Sequence, residues 1–277
     1  LLLGAAVQDY LPEFHGPNKA AVTVQNLLSH TAGLPGYLPL FKQAKGRQEM
    51  LKLVCDTPLE FEPGSKTQYS DLGMILLGEI LSRAAGRTLD NFLSEKLFAP
   101  LGMGSTMYRP SKKLLARIAP TENDPWRRRV VRGEVHDENA YAMGGVAGHA
   151  GLFSSARDLA VFAQTMLNRG LYDHKRFFGP DTIARFTARQ EPDDNARALG
   201  WGKPTAKNWT GQVFSPAAFG HTGFTGGLIW IDPEQEVFIV MLSNRVHPSR
   251  DSLKIDEARQ AICESVGRAI GRKGQLF

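Results

Sequence analysis

The chain has 277 residues, 42% hydrophobic and 22% charged, the balance of an ordinary soluble globular protein long enough for a substantial core. That composition excludes a low-complexity or disordered chain, and no run of 18 apolar residues marks a membrane-spanning helix. Part of the +5 net charge comes from "DPWRRRVVR", with Arg127, Arg128, Arg129 and Arg132; no aromatic-studded basic stripe or nucleic-acid motif accompanies it, so a solvated loop is expected and nucleic acid is not expected as a partner.

In chain order, the opening "LLLGAAV" is too short for a secretory signal and lacks its basic flank, and the first methionine is Met50. The chain reads as beginning inside something longer. Thr23 is placed to cap a short helix over "VQNLLSH" that stops at Gly33. Asp71 opens "DLGMILLGEILSRAA", apolar at Leu72, Ile75, Leu76 and Ile80 and closed by Gly86. Thr88 opens "LDNFLSEKLFA", which ends before Pro100. Ser155 and Asp158 have the spacing of a capping box, and Leu159, Phe162, Met166 and Leu167 share the face of the helix that follows, which ends near Gly170.

The last third changes character. "LIWID" and "VFIVML" flank the polar turn "PEQE" as an antiparallel hairpin, and Asp251 begins a terminal helix with Ile255, Ala258, Ile262, Val266 and Ala269 on one stripe. A helical lobe over about 20–190 followed by a hairpin-and-helix lobe over about 191–277 gives a single α+β domain. Cys55 and Cys263 fall in helical segments and read as two buried thiols rather than a bridge.

Four stretches carry chemistry together: "VTVQNLLSHTAGLPGY", "FEPGSKTQYSDLGMILLGEIL", "GVAGHAGLFSSARDLAVFAQTML" and "FGHTGFTGGLIWIDPEQEVFIVMLSN". In this order and at these separations, from about residue 7 to residue 245, they resemble the serine β-lactamase and penicillin-binding-protein superfamily, particularly its esterase and class-C-like branch. The resemblance implies an antiparallel sheet flanked by helices, plus a mainly helical lobe. It also implies a serine hydrolase working through an acyl-enzyme on a small ester or peptide-like substrate, without a metal or organic cofactor.

Such enzymes take their nucleophile from Ser-x-x-Lys. No serine of this chain has lysine three residues on: Ser65 meets Gln68, Ser111 meets Leu114 and Ser154 meets Arg157. No Gly-x-Ser-x-Gly elbow replaces it. The expectation is that the nucleophile, with the first strands and the central helix, lies upstream of residue 1.

The resemblance carries roles to the matching positions. Tyr69 matches the general base, a role that needs nearby positive charge because a free tyrosine has a pKa of about 10. Asp71 takes the place of an asparagine that donates to a substrate carbonyl; an ionised aspartate only accepts, and the same residue also suits a helix N-cap. His221, Thr222 and Gly223 stand as the third motif, with His221 mostly neutral at pH 7 where relatives carry lysine. The N–H of Phe224 matches an oxyanion donor, and Thr222 and Gly223 border the substrate. Asp71 and His221 favour an ester over a D-Ala-D-Ala peptide or a β-lactam. A catalytically inactive wall-peptide or partner-binding module is the reading from another class. An extracytoplasmic location is what the resemblance suggests.

The remaining features read as structural. His136 beside Asp137 and Glu138 is not expected to bind metal, because adjacent loop residues point apart. His30 and His149 are expected in hydrogen-bonding roles, Trp201 in the core, and Lys66 in solvent.

Overall fold

The computed structural model describes residues 1–192, 196–205, 210 and 213–270. Among them the helices are α1 Val24–Ser29, α2 Arg47–Asp56, α3 Asp71–Ala85, α4 Leu89–Leu93, α5 Glu138–Ala142, α6 Ala156–Leu167, α7 Pro180–Thr187 and α8 Ile255–Ala269. Three two-residue ribbons pair antiparallel: β1 Met107–Tyr108 with β4 Leu152–Phe153, β2 Asn123–Asp124 with β3 Arg129–Val130, and β5 Leu171–Tyr172 with β6 Lys175–Arg176. The main sheet is antiparallel, in the order β7 Phe219–Thr222, β8 Leu228–Asp232, β9 Val237–Met241. The fold is α+β, as expected.

Local chemistry sets the helix ends. Thr23 caps α1, accepting from the Asn26 N–H at 3.2 Å. α1 ends at His30, which takes the left-handed conformation at φ 59°, and so stops earlier than the Gly33 expected from sequence. The α3 cap is Ser70, whose Oγ accepts from the Gly73 N–H at 3.3 Å; Asp71 is the first helical residue, which overturns its reading as the cap. Gly86 closes α3 at φ 63° as expected. Ser155 caps α6, but only half of the expected box forms. The Asp158 carboxylate turns away to accept from the Ser105 N–H at 2.7 Å and the Thr106 hydroxyl at 2.9 Å.

Two apolar bodies follow from these elements. The larger joins Val7, Leu11, Phe14 and Leu27 to Met50 and Val54 of α2 and to Leu72, Ile75, Leu76 and Ile80 of α3. The sheet is packed on both faces. On one side Ala163 and Met166 of α6 and Ile183 of α7 meet Phe219 and Ile231, with Trp201 alongside as expected of a core residue. On the other, Val213, Phe214, Trp230 and Ile239 meet Cys263 of α8. Cys55 and Cys263 are free buried thiols, in α2 and α8 respectively.

α8 departs from the sequence reading. It starts at Ile255 rather than Asp251, and its buried positions are Arg259, Cys263 and Gly267, while Ala258, Ile262 and Ala269 face outward. The inward face contains an arginine because its guanidinium reaches carbonyl groups at the sheet's end. It contains a glycine because a Cβ there would meet Val213 Cγ1 at 3.1 Å. The arginine run is not uniformly solvated either. The Arg127 side chain is buried, donating to the carbonyls of Val135 and His136 at 2.8 and 2.7 Å and lying 4.3 Å from the Tyr141 ring.

Candidate active site

A cleft of about 1640 Å³ runs between the α3 end of the larger core and the exposed end of β7. Tyr69, Asp71, His221, Thr222, Gly223 and Phe224, singled out from sequence as candidates, all line it.

The Tyr69 wall is built from the turn after α1. The Gln68 N–H donates to the His30 carbonyl at 2.8 Å, the Ser70 N–H to His30 Nδ1 at 3.1 Å, and the Asp71 N–H to the Gly36 carbonyl at 2.9 Å. The Ser70 hydroxyl donates to the Pro35 carbonyl at 2.6 Å. This fixes Tyr69 with its ring 4.4 Å from that of His30 and 5.9 Å from that of His221, measured between centroids. His30 thus serves as the structural hydrogen bonder expected of it. Burial, helped by the charge of Arg197 and by His221, pushes its pKa down to about 3, so it is neutral at physiological pH.

The opposite wall is the end of β7. Gly220 pairs with Trp230, whose Cε3 lies 2.1 Å from where a Cβ would project, so only glycine lets the indole cross the strand. His221 turns Nδ1 to the Thr222 carbonyl at 2.8 Å. The chain then folds over: the Gly223 N–H donates to the Gly227 carbonyl at 2.8 Å, and the Gly226 N–H to that of Gly223 at 3.0 Å. Gly226, at φ +122°, lies where a Cβ would fall 2.3 Å from Ser243 Oγ. Three arginines hold this turn from outside. Arg259 Nη2 donates to the carbonyls of Gly223 and Gly227 at 2.7 and 2.9 Å, and Arg245 Nε to that of Phe224 at 2.7 Å. The Arg245 and Arg250 guanidinium groups lie 4.4 and 5.9 Å from the exposed Phe224 ring. The Phe224 N–H has no hydrogen-bond partner among the described residues.

The electrostatics are uneven. Burial holds His221 below its ordinary pKa, and the charges of Arg197 and Arg259 add to that, so it is neutral at pH 7 as its residue type implied. Burial also raises Tyr69, and Asp71 adds to the rise; only Arg197 works against it. Lys66 lies over the Phe61 ring, away from this pair. Burial raises Asp71 too, with His149 opposing and Asp137 reinforcing. His149 Nε2 meets Asp137 Oδ1 at 2.8 Å. His136 turns to Glu122, Nε2 to Oε2 at 2.8 Å, and its ring stacks on Phe224. Among the described residues no cluster of three His, Cys, Asp or Glu side chains is arranged for a metal ion.

Sequence reasoning passed over Arg197 and Arg259. No motif marks either; each becomes visible only when the fold brings it to residues far along the chain.

The profile of the beta-lactamase family matches residues 1–263, and the chain belongs to that family. A relative from Escherichia coli K12, named "Putative D-alanyl-D-alanine carboxypeptidase", is 39% identical over 273 residues, 87% of this chain and 62% of its own length. The chain thus spans about three fifths of the length of the curated relatives it matches. Among solved structures, a class C beta-lactamase superposes with a TM-score of 0.75 at 19% identity, over 96% of this chain and 75% of its own. A family VIII carboxylesterase gives 0.73 at 20%, over 96% and 77%. These confirm the β-lactamase-like α+β fold. No helix among the described residues is long and apolar enough to cross a membrane.

Proposed function

We propose that these residues form the substrate cleft of a serine hydrolase, with the nucleophilic Ser-x-x-Lys pair contributed from outside the 277 residues. The observation that carries this reading is the meeting of Tyr69 with His221 across a cleft bordered by the unpartnered N–H of Phe224. Tyr69, as phenolate, takes the proton of the attacking hydroxyl and returns it to the leaving group. The Phe224 N–H receives the developing oxyanion, and neutral His221 relays a hydrogen bond between Tyr69 and the substrate. Asp71, Thr222 and Gly223 border the acyl group. The product of the first half-reaction is an acyl-enzyme, which water then cleaves.

The substrate is a small ester or amide. Asp71 and His221 favour the ester. The 39%-identical relative named for D-alanyl-D-alanine carboxypeptidase favours a second reading, a peptide ending in two D-alanines. Either reading suits a bacterial protein acting outside the cytoplasm.

The test uses the 277-residue chain and the parent protein side by side. A fluorophosphonate probe is expected to label one serine in the parent and none of the serines in this chain. In the parent, Tyr69→Phe is expected to lower kcat/KM for a nitrophenyl ester by about 10²–10⁴-fold. Release of D-alanine from a peptide with that terminus separates the two substrate classes. Stoichiometric labelling within these 277 residues, or full activity of Tyr69→Phe, overturns the reading.

A further inference from the structure

Arg197 carries a charge that the described fold leaves unanswered. Its guanidinium lies over the Tyr69 ring, 5.2 Å from the centroid, and lines the cleft. Its Nε is buried and has no hydrogen-bond partner among the described residues. A guanidinium keeps its proton at any physiological pH, so burying it without an anion is costly unless an acidic group answers it.

Its position is built, not incidental. Arg197 and Gly202 bridge as a tight turn, with the Ala198 N–H on the Trp201 carbonyl at 2.8 Å. Gly202 then exchanges two backbone hydrogen bonds with Gly220 of β7, at 2.8 and 3.1 Å. The strand that presents His221 therefore also fixes the turn that presents Arg197. The two aim at the same tyrosine.

The groups facing Tyr69 are few. His30 from the end of α1 and His221 from β7 are neutral, and Asp71 from α3 is an acid whose charge opposes a phenolate; Asp71 in turn faces His149 and Asp137. Among the described residues, Arg197 is the cation set against that ring. We infer that Arg197 is a positioning residue that supplies, from the far side of the cleft, the fixed positive charge favouring the phenolate of Tyr69. This rests on Tyr69 acting as the base, as proposed above. The third motif itself holds a neutral histidine, and the charge comes from a neighbouring turn on the same strand edge.

An opposite charge within about 4–6 Å lowers a pKa by about 1–3, enough to offset much of what burial and Asp71 do to Tyr69. The direct test is an ultraviolet phenolate titration of the 277-residue chain, with Tyr69→Phe subtracted to isolate Tyr69. Arg197→Met is expected to raise the Tyr69 midpoint by about one pH unit or more, and Arg197→Lys to restore most of it. In the parent, Arg197→Met is expected to move the Tyr69 limb of the kcat profile upward equally, lowering kcat near neutrality about tenfold with KM for an uncharged ester unchanged. An unmoved Tyr69 midpoint in Arg197→Met, folded by circular dichroism, overturns the inference, as does an Arg197→Lys midpoint raised as far as that of Arg197→Met. So does a KM rise confined to carboxylate-bearing substrates with the limb in place, which would make Arg197 a substrate anchor. Full activity of Tyr69→Phe would instead remove the base reading, while the optical titration still decides what Arg197 does to the ring.

Discussion

The two walls of the cleft solve one problem, holding a polar group still, by different means. Tyr69 is fixed by a buried turn zipped to residues 30–36 and continuous with an apolar core through α3. Phe224 and its N–H sit in an exposed glycine turn, held by arginine side chains that grip backbone carbonyls from Arg245 and Arg259. The first wall rests on a buried neutral histidine, while Tyr69 itself stays partly exposed to the cleft. The second admits water and is held by charge. A buried neutral histidine and an arginine–carboxylate network respond oppositely to protons in kind, though not in sign of stability, so the walls should loosen in different pH windows.

The largest expected effect belongs to the Tyr69 wall. His30 has an ordinary pKa of 6.5 when unfolded and about 3 when folded. Below pH 6.5 the unfolded chain takes up a proton that the native chain refuses, so stability falls as pH drops from 6.5 toward 3. The linkage amounts to about 4 kcal/mol across that window. Urea unfolding of wild type and His30→Gln as a function of pH measures it. The variant starts less stable at pH 7, having lost the acceptor for the Ser70 N–H, and is expected to show a shallower slope between 6.5 and 3. Parallel slopes would mean that the Tyr69 wall is not held by a neutral histidine.

Next comes the grip on the glycine turn. Arg259→Met keeps the length of the buried stem and removes its hydrogen bonds to the Gly223 and Gly227 carbonyls, an expected loss of about 2 kcal/mol in urea unfolding. Because these carbonyls flank the Phe224 N–H, the parent's kcat is expected to fall about tenfold with little change in KM. A variant equally destabilised but with normal kcat would show that the turn holds its shape without the arginine.

Much of the Tyr69 wall was legible in the sequence, because local chemistry writes it. Thr23 and Gly86 cap their helices where expected. Errors there were of one to three residues: Ser70 outcompetes Asp71 as the cap because its hydroxyl sits one position earlier, and His30 ends α1 before Gly33. The arginine-held wall was legible only in part. "GHTGFTGG" announces close backbone approach, but not what grips it. Arg259 breaks the apolar stripe read for α8, since an inward arginine looks like an outward one until its carbonyl partners, some thirty residues earlier, are placed. Arg197 escaped notice, and the buried Arg127 was expected in solvent, for the same reason. A lone arginine carries no periodicity, and its partner is chosen by the tertiary fold.

The lowest pH window belongs to the acid limb of the arginine-held wall. Burial alone would raise Glu122, but hydrogen bonds from Arg250 and His136 outweigh it and hold the carboxyl at about 2, below its ordinary 4.5. Arg250 donates to both Glu122 oxygens, at 3.0 and 2.8 Å, and to Glu138 at 2.7 Å, while lying under the Phe224 ring. A carboxyl whose folded pKa is depressed stabilises the protein above its unfolded value and loses that contribution as pH falls through the folded one. The window is therefore about pH 4.5 to 2, below most of the His30 window. Glu122→Gln is expected to flatten the wild-type loss of stability there while leaving the slope between 6.5 and 4.5 to His30. Fluorescence of Trp126, 4.7 Å from the Phe41 ring and close to the Arg127 guanidinium, offers a local signal for the same loosening. If Glu122→Gln and His30→Gln flatten the same window, the walls titrate as one body, and the contrast between a packed wall and a charge-held wall fails.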